Sequence, residues 1–308
     1  MNPGTSSTLR KRIAAVLATV CLTPSGFSES PKPQHAKVSL VTEHTSLSPG
    51  ASEWIGVRFE LEPGWHIYWV NPGDSGEPPK VNWNLPNGIQ AGVLQFPAPE
   101  RIPDHGMTDY GYEGEVVLLS KLTLSPGFSS NKTDIGADLR YLVCREVCVP
   151  GKEHVSTPLE VGRLAAPTTN QAHLRVPATP DEYLVVKAEQ HLPRPLPQNM
   201  HASAISEKDS FLVTISGEFY GLGIMDFLPE DAQVIENGTK PSFIDGGHFK
   251  SEVRMRLKKS EQLDHPPSQI RGLLVMSHSK HPGVFVKAYE TAIPVVDSKT
   301  ASRARSQQ

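Results

Sequence analysis

The chain has 308 residues, of which 38% are hydrophobic, and 30 Lys and Arg set against 33 Asp and Glu give a formal charge of −3. Mildly acidic and scattered charge argues against nucleic acid as a partner. The length exceeds what one sandwich of roughly 100 residues needs, so two domains are expected, and plentiful Pro (28) and Gly (24) suit many short elements joined by turns.

The chain opens with Arg10-Lys-Arg12, an apolar stretch over residues 13–22, and then Pro24, Ser25, Gly26 and Ser28. A basic start, a short apolar middle and small residues near a cleavage point form a secretory signal over residues 1–28, cut after Ser28. The apolar run falls short of the roughly 20 residues that span a bilayer, and no later segment is long and apolar enough, so a soluble exported protein without stable membrane insertion is expected. A lipid anchor at Cys21 is disfavoured because Val20 is bulky where such signals need a small residue. Cleavage removes Arg10, Lys11 and Arg12, three positive charges, which takes the formal charge from −3 to −6. It also removes Cys21 and leaves two of the 3 cysteines, enough for one bridge and no free thiol.

Period-two alternation then recurs along the chain. Ile55, Val57, Phe59 and Leu61 alternate with polar or small neighbours and stop at Glu62-Pro-Gly64. Val116, Leu118, Leu122 and Leu124 share one face of a strand, and Ala137, Leu139, Tyr141 and Val143 form the next run. Residues 36–163 thus read as one β-sandwich, followed by a linker over 164–180 that is poor in large apolar residues. A short helix with an acidic first turn fits near Pro180-Asp-Glu-Tyr-Leu184, and Leu192-Pro-Arg-Pro-Leu-Pro197 reads as extended linker. Phe211, Val213 and Ile215, then Val253, Met255 and Leu257, then Leu273 with Val275 and Val284 with Val286, give a second sandwich over 181–297. The polar tail 298–308 reads as disordered. The expected fold is therefore all-β, two sandwiches in tandem with little helix.

Cys144 and Cys148 stand in Tyr141-Leu-Val-Cys-Arg-Glu-Val-Cys-Val-Pro-Gly151. Closing so small a loop stabilises by about 2 kcal/mol, against about 3 for fifteen residues and nearly 5 for a hundred, so the pair is a poor staple. It is better suited to being made and broken. On one straight strand, positions four apart lie roughly 13 Å from each other, whereas a bridge needs Cα atoms within about 4.4–6.8 Å. Arg145-Glu146-Val147 must therefore turn, as a tight hairpin or as a single helical turn. A three-residue hairpin would set the cysteines opposite each other at a tip open to an incoming thiolate. Arg145 favours a thiolate on Cys144 and Glu146 opposes it, so the order of attack stays open.

That cysteine run, together with Trp65-His-Ile-Tyr-Trp-Val-Asn-Pro-Gly-Asp-Ser-Gly76 and Asp109-Tyr-Gly-Tyr-Glu-Gly-Glu115, resembles the periplasmic amino-terminal domain of DsbD-type thiol:disulfide interchange proteins, on the branch associated with suppression of copper sensitivity. The resemblance implies immunoglobulin-like sandwiches in the periplasm and a redox-active pair, Cys144 and Cys148. Such a pair takes electrons from a membrane-embedded donor and passes them to exported thioredoxin-fold proteins. Full-length members continue into a multi-helix membrane domain and a thioredoxin-like domain, neither of which is present in this sequence. A separately encoded donor is therefore expected. One thiolate would attack the partner's disulfide and the other would resolve the mixed disulfide, and a Cys148→Ser variant is expected to hold a covalent complex.

Around the pair, Trp65, Tyr68 and Trp69 are candidates for shielding the cysteines or meeting a partner, with packing of the core as the plain alternative. Tyr110 and Tyr112 share a face if extended and are candidates for capping the disulfide, while Asp109 or Glu113 would handle a proton during exchange. His105 and Met107 would suit Cu(I) beside thiolates, although such histidines are mostly surface residues. No cofactor or resident metal is called for. Asn131-Lys-Thr and Asn237-Gly-Thr fit the glycosylation pattern, which matters only in a eukaryotic secretory context. Two other functions compete with thiol exchange: a non-enzymatic interaction module whose bridge shapes one loop, and a copper-sequestering protein.

Overall fold

The computed structural model describes residues 35–162, 179–219, 221–244, 251–277 and 286–297. The expected signal with Cys21, nearly all of the 164–180 linker and the 298–308 tail lie outside the described residues, which all belong to one compact unit, Gln34–Gln308.

The first sandwich is built from β1 (Ala36–Thr42), β2 (Ser46–Leu47), β3 (Ser52–Leu61), β4 (His66–Gly73), β5 (Lys80–Asn84), β6 (Ile89–Ala91), β7 (Glu100–Asp104), β8 (Met107–Glu113), β9 (Glu115–Leu124), β10 (Lys132–Cys144) and β11 (Cys148–Val161). A four-stranded sheet in the order β1-β3-β9-β6 packs on a seven-stranded sheet in the order β2-β11-β10-β4-β8-β7, with β5 joined to β10. Alternation decides which side chains meet between the layers. Ile55, Val57 and Phe59 of β3, Leu118, Leu122 and Leu124 of β9, and Ala137, Leu139, Tyr141 and Val143 of β10 are buried in one core.

β9 departs from simple alternation, because Val117 and Leu119 on its other face are buried as well. They are covered by α1 (Glu182–His191), whose Val185 and Ala188 pack on them and on Val41. The helix foreseen near Pro180 is real, and it roofs the outer side of the four-stranded sheet.

The second sandwich comprises β12 (Arg194–Pro195), β13 (Met200–Ser206), β14 (Ser210–Gly217), β15 (Gly223–Pro229), β16 (Ser242–Phe243), β17 (Glu252–Lys258), β18 (Gln269–Ser277) and β19 (Val286–Asp297). Its strands hydrogen-bond in the order β15-β18-β19-β13-β14-β17-β16. β19 runs antiparallel to β18 through Pro294 and then parallel to β13 from Val295, so this one strand passes between the two layers. Arg254, Arg256 and Lys258 face water while Val253, Met255 and Leu257 are buried, as their alternation requires. The proline-rich stretch after α1 is extended, and Arg194 and Pro195 pair with Tyr289 and Glu290 of β19. Leu228, Leu273 and Ala288 of the second sandwich are buried in the core of the first. The molecule is nearly all β, two sandwiches in tandem with one helix among the described residues.

Candidate functional site

β10 and β11 form a long hairpin in continuous register from Lys132↔Glu160 to Cys144↔Cys148, and Arg145-Glu146-Val147 is its three-residue loop. The turn is thus the hairpin, not the helical alternative. Cys144 and Cys148 face each other with Cα atoms 4.1 Å apart and are joined as a disulfide. Gly151 sits opposite Tyr141, where a side chain would overlap the tyrosine ring. Burial, and more weakly the charge of Glu153, push the Tyr141 hydroxyl up to about 12.

The two sulfurs differ in surroundings because of strand order. Cys144 lies between two neighbours, Cys148 on one side and His66 of β4 on the other, and it is buried. Cys148 begins β11, which near the tip has β10 as its ladder partner; β2 pairs only with Glu160 and Val161. Cys148 is exposed, as are Arg145, Glu146 and Val147, the last at 65%. The guanidinium of Arg145 lies over the buried Trp65 ring, 5.3 Å from its centroid, and His35 stacks on the same indole at 3.6 Å.

Strand parity sorts the remaining candidates. Residues 137, 139, 141 and 143 point to the core, so Cys144 points to the opposite face of the seven-stranded sheet. His66 is its direct neighbour and shares that face with Tyr68, and β8 adds Asp109, Gly111 and Glu113 through the pairs His66↔Glu113 and Tyr68↔Gly111. Trp65, Trp69, Tyr110 and Tyr112 have the other parity and are buried in the core cluster.

On the cysteine face, the Tyr68 hydroxyl lies 3.6 Å from Cys148 Sγ and 3.3 Å from Ser75 Oγ. Ser75 donates from its backbone N–H to Asp109 Oδ1 (3.0 Å) and from its hydroxyl to Asp109 Oδ2 (2.9 Å). His66 Nε2 is buried without a hydrogen-bond partner, 3.6 Å from Asp109 Oδ2. Tyr68 is fully buried; Gly76, at φ +77°, presses on its ring so closely that a Cβ there would overlap it. Burial is the main cause that raises the Tyr68 hydroxyl above its ordinary value, with the Ser75 hydrogen bond acting the other way. A polar chain therefore runs from the exposed sulfur through Tyr68 and Ser75 to a fully buried carboxylate.

The other candidates lie elsewhere. The Tyr110 hydroxyl accepts from Arg101 Nη1 (3.1 Å) and donates to the Asn237 carbonyl (3.3 Å), on the side of the second sandwich. The Tyr112 hydroxyl donates to the Pro97 carbonyl at 2.6 Å. Neither hydroxyl reaches the disulfide. Trp69 meets Tyr110 edge to face at 6.2 Å. Glu113 is exposed. His105 and Met107 are exposed in a tight turn, with His105 Nδ1 at 2.6 Å from Asp104 Oδ1, and no three His, Cys, Asp or Glu side chains gather as a metal site among the described residues. Ser75 was not among the residues singled out in the sequence, and neither was His66, whose pairing with Cys144 comes from the register between β10 and β4.

Residues 37–160 match the family model described as "Thiol:disulfide interchange protein DsbD, N-terminal". The match falls on the first sandwich and covers less than half of the chain. The two sandwiches together are similar to the crystal structure of the N-terminal periplasmic domain of ScsB from Proteus mirabilis, at 18% identity and a TM-score of 0.58, over 86% of this chain and 96% of that one. At that identity the likeness establishes the fold. A protein of unknown function from Porphyromonas gingivalis W83 aligns over 85% of this chain and 100% of its own, at 9% identity and a TM-score of 0.22, too loosely to carry an argument. No curated protein sequence matches. Among the described residues no helix is long and apolar enough to cross a membrane.

Proposed function

We propose that this protein is an exported, periplasmic thiol:disulfide interchange protein. Its Cys144–Cys148 pair accepts electrons from a membrane-bound donor and passes them to thioredoxin-fold partners. The observation that carries this reading is the placement of Cys148, a residue exposed at a hairpin tip whose sulfur lies 3.6 Å from a buried tyrosine's hydroxyl.

In the reduced protein the Cys148 thiolate attacks one sulfur of the partner's disulfide. A mixed disulfide forms, and the partner's other sulfur leaves as a thiolate that takes a proton. Cys144 then attacks Cys148 and expels the partner's first sulfur, which is protonated in turn. The partner leaves with two electrons and two protons, and the intramolecular bridge is restored. Exposure favours this order, the reverse of the one that a trap at Cys144 assumes. Tyr68, protonated at neutral pH like any tyrosine, donates to the Cys148 thiolate and stabilises it. Asp109, linked to it through Ser75, exchanges the proton that each half-reaction moves.

A redox titration with thiol alkylation tests the assignment. The expected midpoint lies above about −300 mV, the level below which structural bridges resist reduction; a value well below it would leave the bridge a structural one.

A further inference from the structure

We infer that the second sandwich is a positioning element for this exchange: it grips the loop 71–76 and through it holds Tyr68 over Cys148. The inference rests on the exchange reading above and assigns a role to residues far from the sulfurs in sequence.

The loop is held from the second sandwich at two points. Asn71 donates from Nδ2 to the Pro229 carbonyl at 2.8 Å, while its Oδ1 accepts the Gly73 N–H. Asn237 donates from Nδ2 to Asp74 Oδ1 at 2.9 Å, and Asp74 Oδ2 accepts the Thr108 N–H at 2.7 Å. The residues that follow Asp74 are Ser75 and Gly76, which touch Tyr68 directly. A loop fixed at 71 and 74 leaves little freedom one and two residues later.

The grip itself is anchored by Arg101 of β7. Its guanidinium binds both oxygens of Asp226 (3.0 and 3.1 Å), the Phe227 carbonyl (3.0 Å), the Asn237 carbonyl and the Tyr110 hydroxyl. Tyr110 adjoins Asp109 in β8, so the joint reaches the exchange site along a second path. Bonds in such a buried network reinforce one another, and they hold Asn237 even though its Oδ1 is buried without a partner. Leu228 and Leu273 of the second sandwich are also buried in the core of the first.

Asn237→Ala removes the Asp74 partner without changing a residue of the first sandwich, and Asp226→Asn weakens the anchor if the first variant does not fold. In the full chain the measured quantities are the second-order rate of reduction by dithiothreitol, hydrogen exchange in peptides covering 71–76, and circular dichroism to confirm folding. The expected result is at least a threefold faster reduction with loss of exchange protection in 71–76. In a Tyr68→Ala background, where the cover is already gone, the same substitution should add nothing. A folded variant whose reduction rate stays within twofold of the parent overturns the inference. So does an acceleration that persists undiminished without Tyr68, since that reports general loosening. Dithiothreitol reduces an accessible bridge whatever the natural partner. A protein that ignores thioredoxin-fold partners but follows this pattern would sink the function and keep the joint, and the opposite pair of results would do the reverse.

Discussion

Two polar clusters lie on the seven-stranded sheet, one around Cys148 and one around Arg101, and they are built differently. At Arg101 the contacts are short and multiple: two bonds to Asp226, one to each of two backbone carbonyls, and one to Tyr110. At Cys148 they are long and partly unmet, with 3.6 Å from sulfur to Tyr68, 3.3 Å from Tyr68 to Ser75, and a buried His66 Nε2 without a partner. The first arrangement has one geometry. The second leaves room for the change of charge and bonding that the proposed exchange asks of the sulfur. The contrast lies in the guanidinium's short bonds against the sulfur's long ones, since each cluster also holds one buried polar atom without a partner, Asn237 Oδ1 in the first and His66 Nε2 in the second.

The largest way to break this contrast is to remove the charge at the centre of the Arg101 cluster. Arg101→Ala leaves the mostly buried Asp226 unpaired and is expected to cost about 3–5 kcal/mol, measured by urea unfolding. A loss below about 1 kcal/mol would put Arg101 in the class of surface ion pairs and remove the contrast.

Glu53 sharpens the comparison from outside both clusters. It is buried, its Oε1 has no partner, and the His44 ring is 3.4 Å from its other oxygen. Burial first, then Glu43, push its carboxyl from 4.5 up to about 8, partly offset by Lys121. Between those two pH values the folded chain holds a proton that the unfolded chain has released, so stability falls as pH rises through that window. Glu53→Gln should remove this slope and stabilise the protein by about 1–3 kcal/mol near pH 8, as read from melts at pH 5 and pH 8. Parallel curves for parent and variant would refute the assignment.

The smallest effect belongs to the loose cluster. Tyr68→Phe keeps the cover and deletes the hydroxyl, a loss of about 1 kcal/mol of thiolate stabilisation and so about a fivefold slower exchange at neutral pH. The alkylation pH profile of the reduced protein should move upward with it. An unchanged profile would mean that Tyr68 only shields.

Much of this was legible in the sequence, and the reason is periodicity. Alternation at Ile55–Leu61 and at Ala137, Leu139, Tyr141 and Val143 fixes which face is buried, and a three-residue spacer requires a turn, which the structure shows to be the hairpin. Only the register between β4 and β8, which the sequence does not give, separates Tyr68 from Tyr110 and Tyr112. The joint was not legible. Arg101, Asp226 and Asn237 are scattered along the chain, each an unremarkable polar residue in its local setting, and Asn237 stood out only as a glycosylation pattern. Polar contacts between distant segments leave no period to read. Val117 and Leu119 were not legible either: only the Val116–Leu118 face was read as buried, and α1 covers the other.

The central claim is that Cys148 is the sulfur that meets the partner while Cys144 resolves. Incubating each single cysteine variant with an oxidised thioredoxin-fold protein, followed by non-reducing electrophoresis, tests it most directly. Cys144→Ser should accumulate a mixed disulfide through Cys148, and Cys148→Ser should accumulate little, its remaining thiol being shut in between two strands. Accumulation with Cys148→Ser instead, or with neither variant, would contradict the account.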